Sequence, residues 1–366
     1  MPLPWLIGAV AVATGAYLSS IKISKLGGLY IKEFKMLKDF EINFINFNTK
    51  KVLPIVVIAG ENGTGKTTLL EYLANYTAER KDDYIVIVET DNREEKELVV
   101  SKMAKGEKDI IQARREYKKN IKYMKVNANN VDNIEEYISD YYIDLAEKKD
   151  SFSKALKEIQ SFIKKSLNGL ELNFNISKID YKIKKVYFKK DDSGVEFGID
   201  ELSTGEKTLV SKVLSLFFNQ IKNQIILIDE PELSLHPRWQ SKILKIYEKF
   251  ALENNCQIII ATHSPHIIAS AKNEYLRFLK KEKNGNISVI NDIQAYGRDI
   301  EWVLEQMGLK NLRVSEILEQ FTLCQQLLND EKFDEAEECI NSLEEKIGQN
   351  DKEIMSLRNA LFFERD

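Results

Sequence analysis

The chain has 366 residues, 43% hydrophobic and 30% charged, enough for one large α/β domain with insertions or for two domains. Its formal net charge of -4 excludes a uniformly basic surface that coats nucleic acid, though not a local basic patch. The cysteines, Cys256, Cys324 and Cys339, are scattered without a CxxC pair, which predicts neither a disulfide framework nor a structural zinc site and suits a reducing compartment.

Residues 2–18 carry no charge, and Lys22 and Lys25 follow directly. One reading is a short membrane anchor that leaves the rest of the chain on the cytoplasmic side. The other is an apolar leader helix packed on the protein or on a partner, because the stretch sits at the ~17-residue lower limit of a span. A cleaved secretory peptide fits least, its basic residues lying on the wrong side. Residues 29–44 alternate apolar and polar side chains, the period of a half-buried strand pair. Residues 52–59 then read as a buried strand ending at a glycine-rich turn, residues 67–80 as a helix, and 84–88 as another strand.

From about 92 to 170 the chain is rich in Lys, Glu, Tyr and Asn and helical in pattern, including KDIIQARREYKKNIKYMKV and SFSKALKEIQSFIKKSL. This predicts a helical insertion too short for a long coiled-coil arm. Its interleaved Lys, Arg and Tyr read either as a DNA or RNA surface or as a solvated helical face. Strands resume near 181–188 and 195–199, a helix follows Leu202, and 224–229 is a continuous apolar strand. A helix over 237–253 and a buried strand over 257–262 complete an alternation that implies a parallel or mixed sheet covered on both faces. Beyond Glu301 the pattern is helical, with Phe333, Ala336, Ile340, Leu343 and Ile347 forming an apolar stripe for another helix.

Four segments carry chemistry. Gly60-Glu61-Asn62-Gly63-Thr64-Gly65-Lys66-Thr67 satisfies G-x-x-x-x-G-K-[ST] between a strand and a helix, the setting of a phosphate loop. Backbone N–H groups from Asn62, Gly63 and Gly65 to Thr68 can solvate a polyphosphate where side chains would not fit. Lys66 is expected on the β- and γ-phosphates of ATP, and Thr67 on Mg²⁺. Ile225-Ile226-Leu227-Ile228-Asp229-Glu230 is an apolar strand ending in two carboxylates, Asp229 for Mg²⁺ and Glu230 to polarise an attacking water. Leu202-Ser203-Thr204-Gly205-Glu206 opens a helix and reads both as a capping box and as a second anion-binding helix N-terminus built on Ser203, Gly205 and Glu206. Finally, His263 ends the strand of residues 257–262, where it can sense a γ-phosphate.

In this order the four segments resemble ABC-type ATPases, and Asp229-Glu230-Pro231-Glu232-Leu233-Ser234-Leu235-His236-Pro237 resembles the SMC/RecF/OLD branch. The resemblance implies an α/β ABC-type P-loop NTPase head with a helical insertion and a C-terminal helical extension. The expected segments are 1–20, 21–91 with the P-loop, 92–178 as insertion, 179–295 with the remaining motifs, and 296–366. It also implies a homodimer or higher oligomer with two ATPs sandwiched between heads. Lys66 and Thr67 of one head would face Ser203 and Gly205 of the other, with Glu230 as general base, His263 as switch and Ser234–Leu235 crossing the interface. The family's Q-loop glutamine has only Gln112 as a candidate.

Ala295-Tyr296-Gly297-Arg298-Asp299-Ile300 and the acidic helices beyond it resemble the ATPase subunits of Septu and retron anti-phage systems, which implies a separately encoded effector. His236, His263 and His266 all lie in or beside the ATPase motifs, leaving none for an HNH nuclease, and the chain after Ser270 lacks the βαβ alternation of a toprim domain. Two roles stay open: a cytoplasmic sensor that restrains an effector, and a RecF-like ATPase that clamps DNA.

Overall fold

The computed structural model describes residues 23–76, 83–91, 94–99, 117–125, 134–167, 170, 172, 174–190, 194–219, 221–291, 293–309 and 313–365. The apolar segment 2–18 and Gln112 lie outside them. Among the described residues no helix is long and apolar enough to cross a membrane. The chain divides into two compact units, Met1–Val303 and Leu304–Asp366.

In the larger unit the elements run β1 (Ile23–Phe34), β2 (Leu37–Asn43), β3 (Ile55–Gly60), α1 (Lys66–Ala74), β4 (Tyr84–Asp91), β5 (Glu94–Val99) and β6 (Ile121–Lys125). Then follow α2 (Ile134–Lys149), α3 (Phe152–Ser166), β7 (Phe174–Asp180), β8 (Lys185–Lys190), β9 (Glu196–Gly198), α4 (Thr204–Phe218), β10 (Ile225–Asp229) and α5 (Pro237–Glu253). Next are β11 (Gln257–Ala261), α6 (Pro265–Ser270), β12 (Leu276–Lys281) and β13 (Ile287–Ile290), and α7 (Ile300–Gln306) ends on the next unit.

A six-stranded sheet in the order β13-β12-β3-β11-β10-β6 is the core. All its pairings are parallel except the antiparallel edge strand β13. The strands β3, β10 and β11 are buried at every position, which explains their unbroken apolar runs: a parallel strand covered on both faces has no polar side to show. Central β11 lies between β3 and β10, with Ile258 opposite both Ile55 and Ile226. The ends of the phosphate-loop strand and the carboxylate strand therefore flank the strand that leads to His263.

A four-stranded antiparallel sheet, β2-β1-β4-β5, is tied to this core by two buried polar side chains. The Gln257 side chain accepts from the Leu26 N–H (2.7 Å) and donates to the Leu26 carbonyl (2.9 Å), so it completes β1 like a strand residue. Arg277 on β12, fully buried, donates to the carbonyls of Asn43 (2.7 Å) and Ile45 (2.8 Å). Burial lowers its pKa to about 10, since the charge is satisfied by dipoles rather than by a carboxylate.

The segment read as a helical insertion is only partly helical. Its α2 and α3 form as expected, α3 capped by Ser151 accepting from the Lys154 N–H. Residues 121–125, read as part of a helix, are instead β6, paired parallel to β10 from Ile121↔Ile225 to Lys125↔Asp229. A free, fully apolar edge on β10 outweighs the local helical pattern of a five-residue segment. Residues 94–99 and 174–180 are likewise strands, β5 and β7.

The smaller unit packs α8 (Ser315–Asn329), α9 (Phe333–Ile347) and α10 (Lys352–Arg365) around a core of its own. Ala336, Ile340 and Leu343 of the α9 stripe are fully buried with Ile317, Phe321, Leu328 and Ile354. Arg358 forms a bidentate pair with Glu344, both contacts 2.8 Å. One expectation is overturned here: Cys324 and Cys339 form a disulfide that links α8 to α9. Helix packing brings together two cysteines 15 apart that no motif joins, and the pairing removes the cysteine argument for a reducing compartment.

Candidate nucleotide-binding and hydrolysis site

At Gly60 β3 leaves the sheet with φ of +145°, and a Cβ there would lie 2.4 Å from the Leu279 carbonyl oxygen of β12. Only glycine lets the loop start this close to the neighbouring strand. Asn62 and Gly63 are exposed on the loop crest, and Gly65 (φ +88°) is the N-cap of α1. Lys66 is buried, its ammonium donating to the carbonyls of Gly60 and Glu61, each at 2.8 Å. Burial lowers its pKa, an effect opposed by the nearby charges of Glu230, Glu232, Asp229 and Glu61. Thr67 is exposed on the first turn of α1, and Thr68 beside it is half-buried.

The Thr67 hydroxyl donates to Asp229 Oδ1 at 3.2 Å across 162 residues of sequence. Tyr123 on β6 donates to the other oxygen, Oδ2, at 3.4 Å. Its phenol is held well above the ordinary range, by burial first and then by the Asp229 charge. Neither sequence motif nor resemblance pointed to Tyr123, because the strand that delivers it was read as helix. A hydroxyl and a carboxylate at a phosphate loop are hard oxygen donors, the set that fits Mg²⁺.

After Asp229 the backbone reverses. Glu230 adopts φ of +48° while its N–H donates to the Ala261 carbonyl at 2.8 Å, and Ser234 adopts φ of +65°. Two non-glycine residues in the left-handed region four positions apart fix this turn and store strain beside the carboxylates. Glu230 Oε1 lies 3.1 Å from His263 Nδ1, and Glu232 Oε1 lies 3.3 Å from the same nitrogen. An Nδ1 between two carboxylate oxygens carries the hydrogen. Glu232 is the functional-looking residue that the sequence did not flag. It was legible only as part of the Glu-Pro-Glu run, with no sign that it is buried.

The expected signature helix forms, with Ser203 and Glu206 closing a capping box: the Glu206 N–H donates to Ser203 Oγ (3.3 Å) and the Ser203 N–H to Glu206 Oε2 (2.9 Å). A Cβ at Gly205 would meet the Ser234 carbonyl oxygen at 3.0 Å, so this glycine lets α4 touch the turn after Glu230. A cavity of about 570 Å³ opens here, lined by Ser203, Gly205, Ser234, His236, Arg238 and Trp239 among others. His236 caps α5, its Nδ1 accepting from the Arg238 N–H. Gln240, also unflagged by sequence, accepts from Ser264 Oγ (2.6 Å) and donates to the Leu235 carbonyl (2.8 Å), joining the two turns. Lys66, Thr67, Asp229, Glu230 and His263 thus converge at the ends of β3, β10 and β11, while Ser203, Gly205 and Glu206 form a separate face on α4.

Fold and site together have the arrangement of a P-loop nucleotide-binding head: a phosphate loop, a strand-end carboxylate pair and a histidine at neighbouring ends of one largely parallel sheet. Residues 89–268 match the family model of the AAA ATPase domain, a span that begins after the phosphate loop and contains α4, β10 and β11. Among curated proteins the chain is 35% identical to the retron Vc95 probable ATPase of Vibrio cholerae over 103 residues, covering 24% of this chain and 19% of that one. It is 34% identical to the Septu protein PtuA of Bacillus thuringiensis over 120 residues (31% and 30%) and 25% identical to an OLD nuclease of Thermus scotoductus over 142 residues (38% and 27%). The matched segments span less than a third of each of these relatives. The chain is therefore similar, over these segments, to an OLD nuclease, to a retron ATPase and to a Septu protein.

Proposed function

We propose that this chain binds ATP with Mg²⁺, pairs with a second copy to close two composite sites, and hydrolyses ATP to ADP and phosphate as the switch of a separately encoded anti-phage effector. The observation that carries this reading is the convergence, at the carboxyl ends of neighbouring strands, of the Thr67–Asp229 and Glu230–His263 pairs beside the phosphate loop. Asn62, Gly63, Gly65, Lys66 and Thr68 hold the phosphates. Thr67 and Asp229 would hold Mg²⁺, which when bound neutralises charge on the β- and γ-phosphates. Glu230 takes a proton from the attacking water as the γ-phosphoryl group transfers to it and ADP leaves. His263 reports the γ-phosphate to Glu230 through their shared hydrogen bond. The face on α4 made by Ser203, Gly205 and Glu206 completes the site of the second copy, its helix N-terminus turned to the transferring group.

The likeness to the retron ATPase and to the Septu protein PtuA supports the defence role, and a role that consumes ATP suits the cytoplasm. The test is ATP-dependent self-association of Glu230→Gln, by mass photometry, with and without Ser203→Arg. Glu230→Gln is expected to dimerise on ATP, and Ser203→Arg to abolish the dimer while leaving ATP binding intact. A chain that binds ATP without any change of mass would leave α4 with only its capping role. Turnover stimulated several-fold by duplex DNA would instead identify a RecF-like clamp.

A further inference from the structure

Lys212 lies outside the ATPase motifs and Glu232, though inside the Asp229–Pro237 segment, has no role assigned above, yet the two occupy the space between the signature helix and the catalytic turn. Lys212, buried in the third turn of α4, donates to the carbonyls of Pro231 (2.8 Å) and Leu233 (3.1 Å), the two residues flanking Glu232. Glu232 is 5% exposed. Its Oε1 accepts from Thr262 Oγ1 (2.7 Å) and from the N–H groups of His263 (2.9 Å) and Ser264 (3.1 Å), and it also approaches His263 Nδ1. Its Oε2 is buried and has no hydrogen-bond partner among the described residues.

Stability does not account for this arrangement. Burying a carboxylate with one oxygen unsatisfied is costly, and a glutamine carbonyl could accept the same three donors. The acid adds a second negative oxygen near His263 Nδ1, besides that of Glu230. The lysine adds a rigid link. Its ammonium is pinned to the backbone on both sides of Glu232, and that backbone is fixed at its ends by the left-handed Glu230 and Ser234.

We propose that Lys212 and Glu232 are positioning residues that form a strut, transmitting engagement of α4 by the second copy's nucleotide to His263 and Glu230 of the same chain. The relay rests on the composite-site reading above. The experiment compares the wild-type chain, Lys212→Met, Glu232→Gln and the double variant in kcat, in KM for ATP, and in amide hydrogen exchange of the peptide spanning 262–264. Each single change is expected to lower kcat at least tenfold, to leave KM within twofold, and to speed exchange of that peptide. The double variant is expected to be no more than about threefold slower than the slower single, since both changes break one device. Retention of kcat within twofold in either single variant, multiplying losses in the double, or unchanged exchange at 262–264 would each overturn the strut. If Lys212→Met melts far below wild type, Glu232→Gln decides by its kcat and exchange alone. Failure of the composite site is read separately, as absence of ATP-driven mass change in Glu230→Gln with wild-type Lys212 and Glu232.

Discussion

At the scale of single residues, the glycines of the phosphate loop are not equivalent. Gly60→Ala would push a Cβ to 2.4 Å from the Leu279 carbonyl at φ +145°, a backbone clash that no rotamer relieves. It is expected to destabilise the larger unit by about 2–3 kcal/mol in urea denaturation. Gly63 has φ +78° with nothing within 4 Å of a Cβ, so Gly63→Ala is expected to cost only about 1 kcal/mol. Lys212 predicts a pH dependence. Burial lowers its pKa from 10.5 to about 8, opposed by Glu232 and Glu230. Between about 8 and 10.5 the unfolded chain then binds more protons at this site than the folded one, so wild-type stability rises with pH across that window. Below about pH 8 the penalty is fully present. Lys212→Met should remove this slope, which urea titrations at pH 7, 8 and 9 would show, and a slope shared by both proteins would assign it to another group. Phosphate-loop and strand-end residues were readable from sequence because glycine spacing and a carboxylate after an apolar run are local signals. Glu232, Lys212 and Gln240 were not, because their importance comes from being buried between elements distant in sequence.

At the scale of elements, legibility followed burial. The strands β3, β10 and β11 announce themselves as apolar runs, and the α9 stripe announces its packed face. In contrast, β6 has the sequence IKYMK and becomes a strand only because β10 offers it an edge, and with it Tyr123 reaches Asp229. The cysteines of α8 and α9 are legible as a pair only once those helices are antiparallel neighbours closing a 15-residue separation. Closing a loop of that length reduces the entropy of the unfolded chain by about 3 kcal/mol. Cys324→Ser with Cys339→Ser is therefore expected to destabilise the helical unit by roughly 2–4 kcal/mol. Guanidinium unfolding of that variant beside wild type measures it. Equal midpoints would mean that the Ile317–Phe321–Leu343 core holds the helices without the bridge.

At the scale of the molecule, two compact units with separate hydrophobic cores predict two unfolding steps rather than one. Each step has its own stabiliser. The phosphate loop, Thr67 and Asp229 lie in Met1–Val303, whereas the disulfide lies in Leu304–Asp366. A ligand that binds only the folded form raises its stability by RT ln(1 + [L]/Kd), about 2.7 kcal/mol at a hundredfold excess over Kd. Calorimetry of Glu230→Gln, which keeps ATP from being consumed, should show one transition rising with Mg²⁺ and ATP while the other stays fixed. Adding a reductant should lower only the second. A single transition moved by both treatments would mean that the units unfold as one cooperative body. The helices beyond Leu304 would then be part of the nucleotide switch rather than a separate unit appended to it.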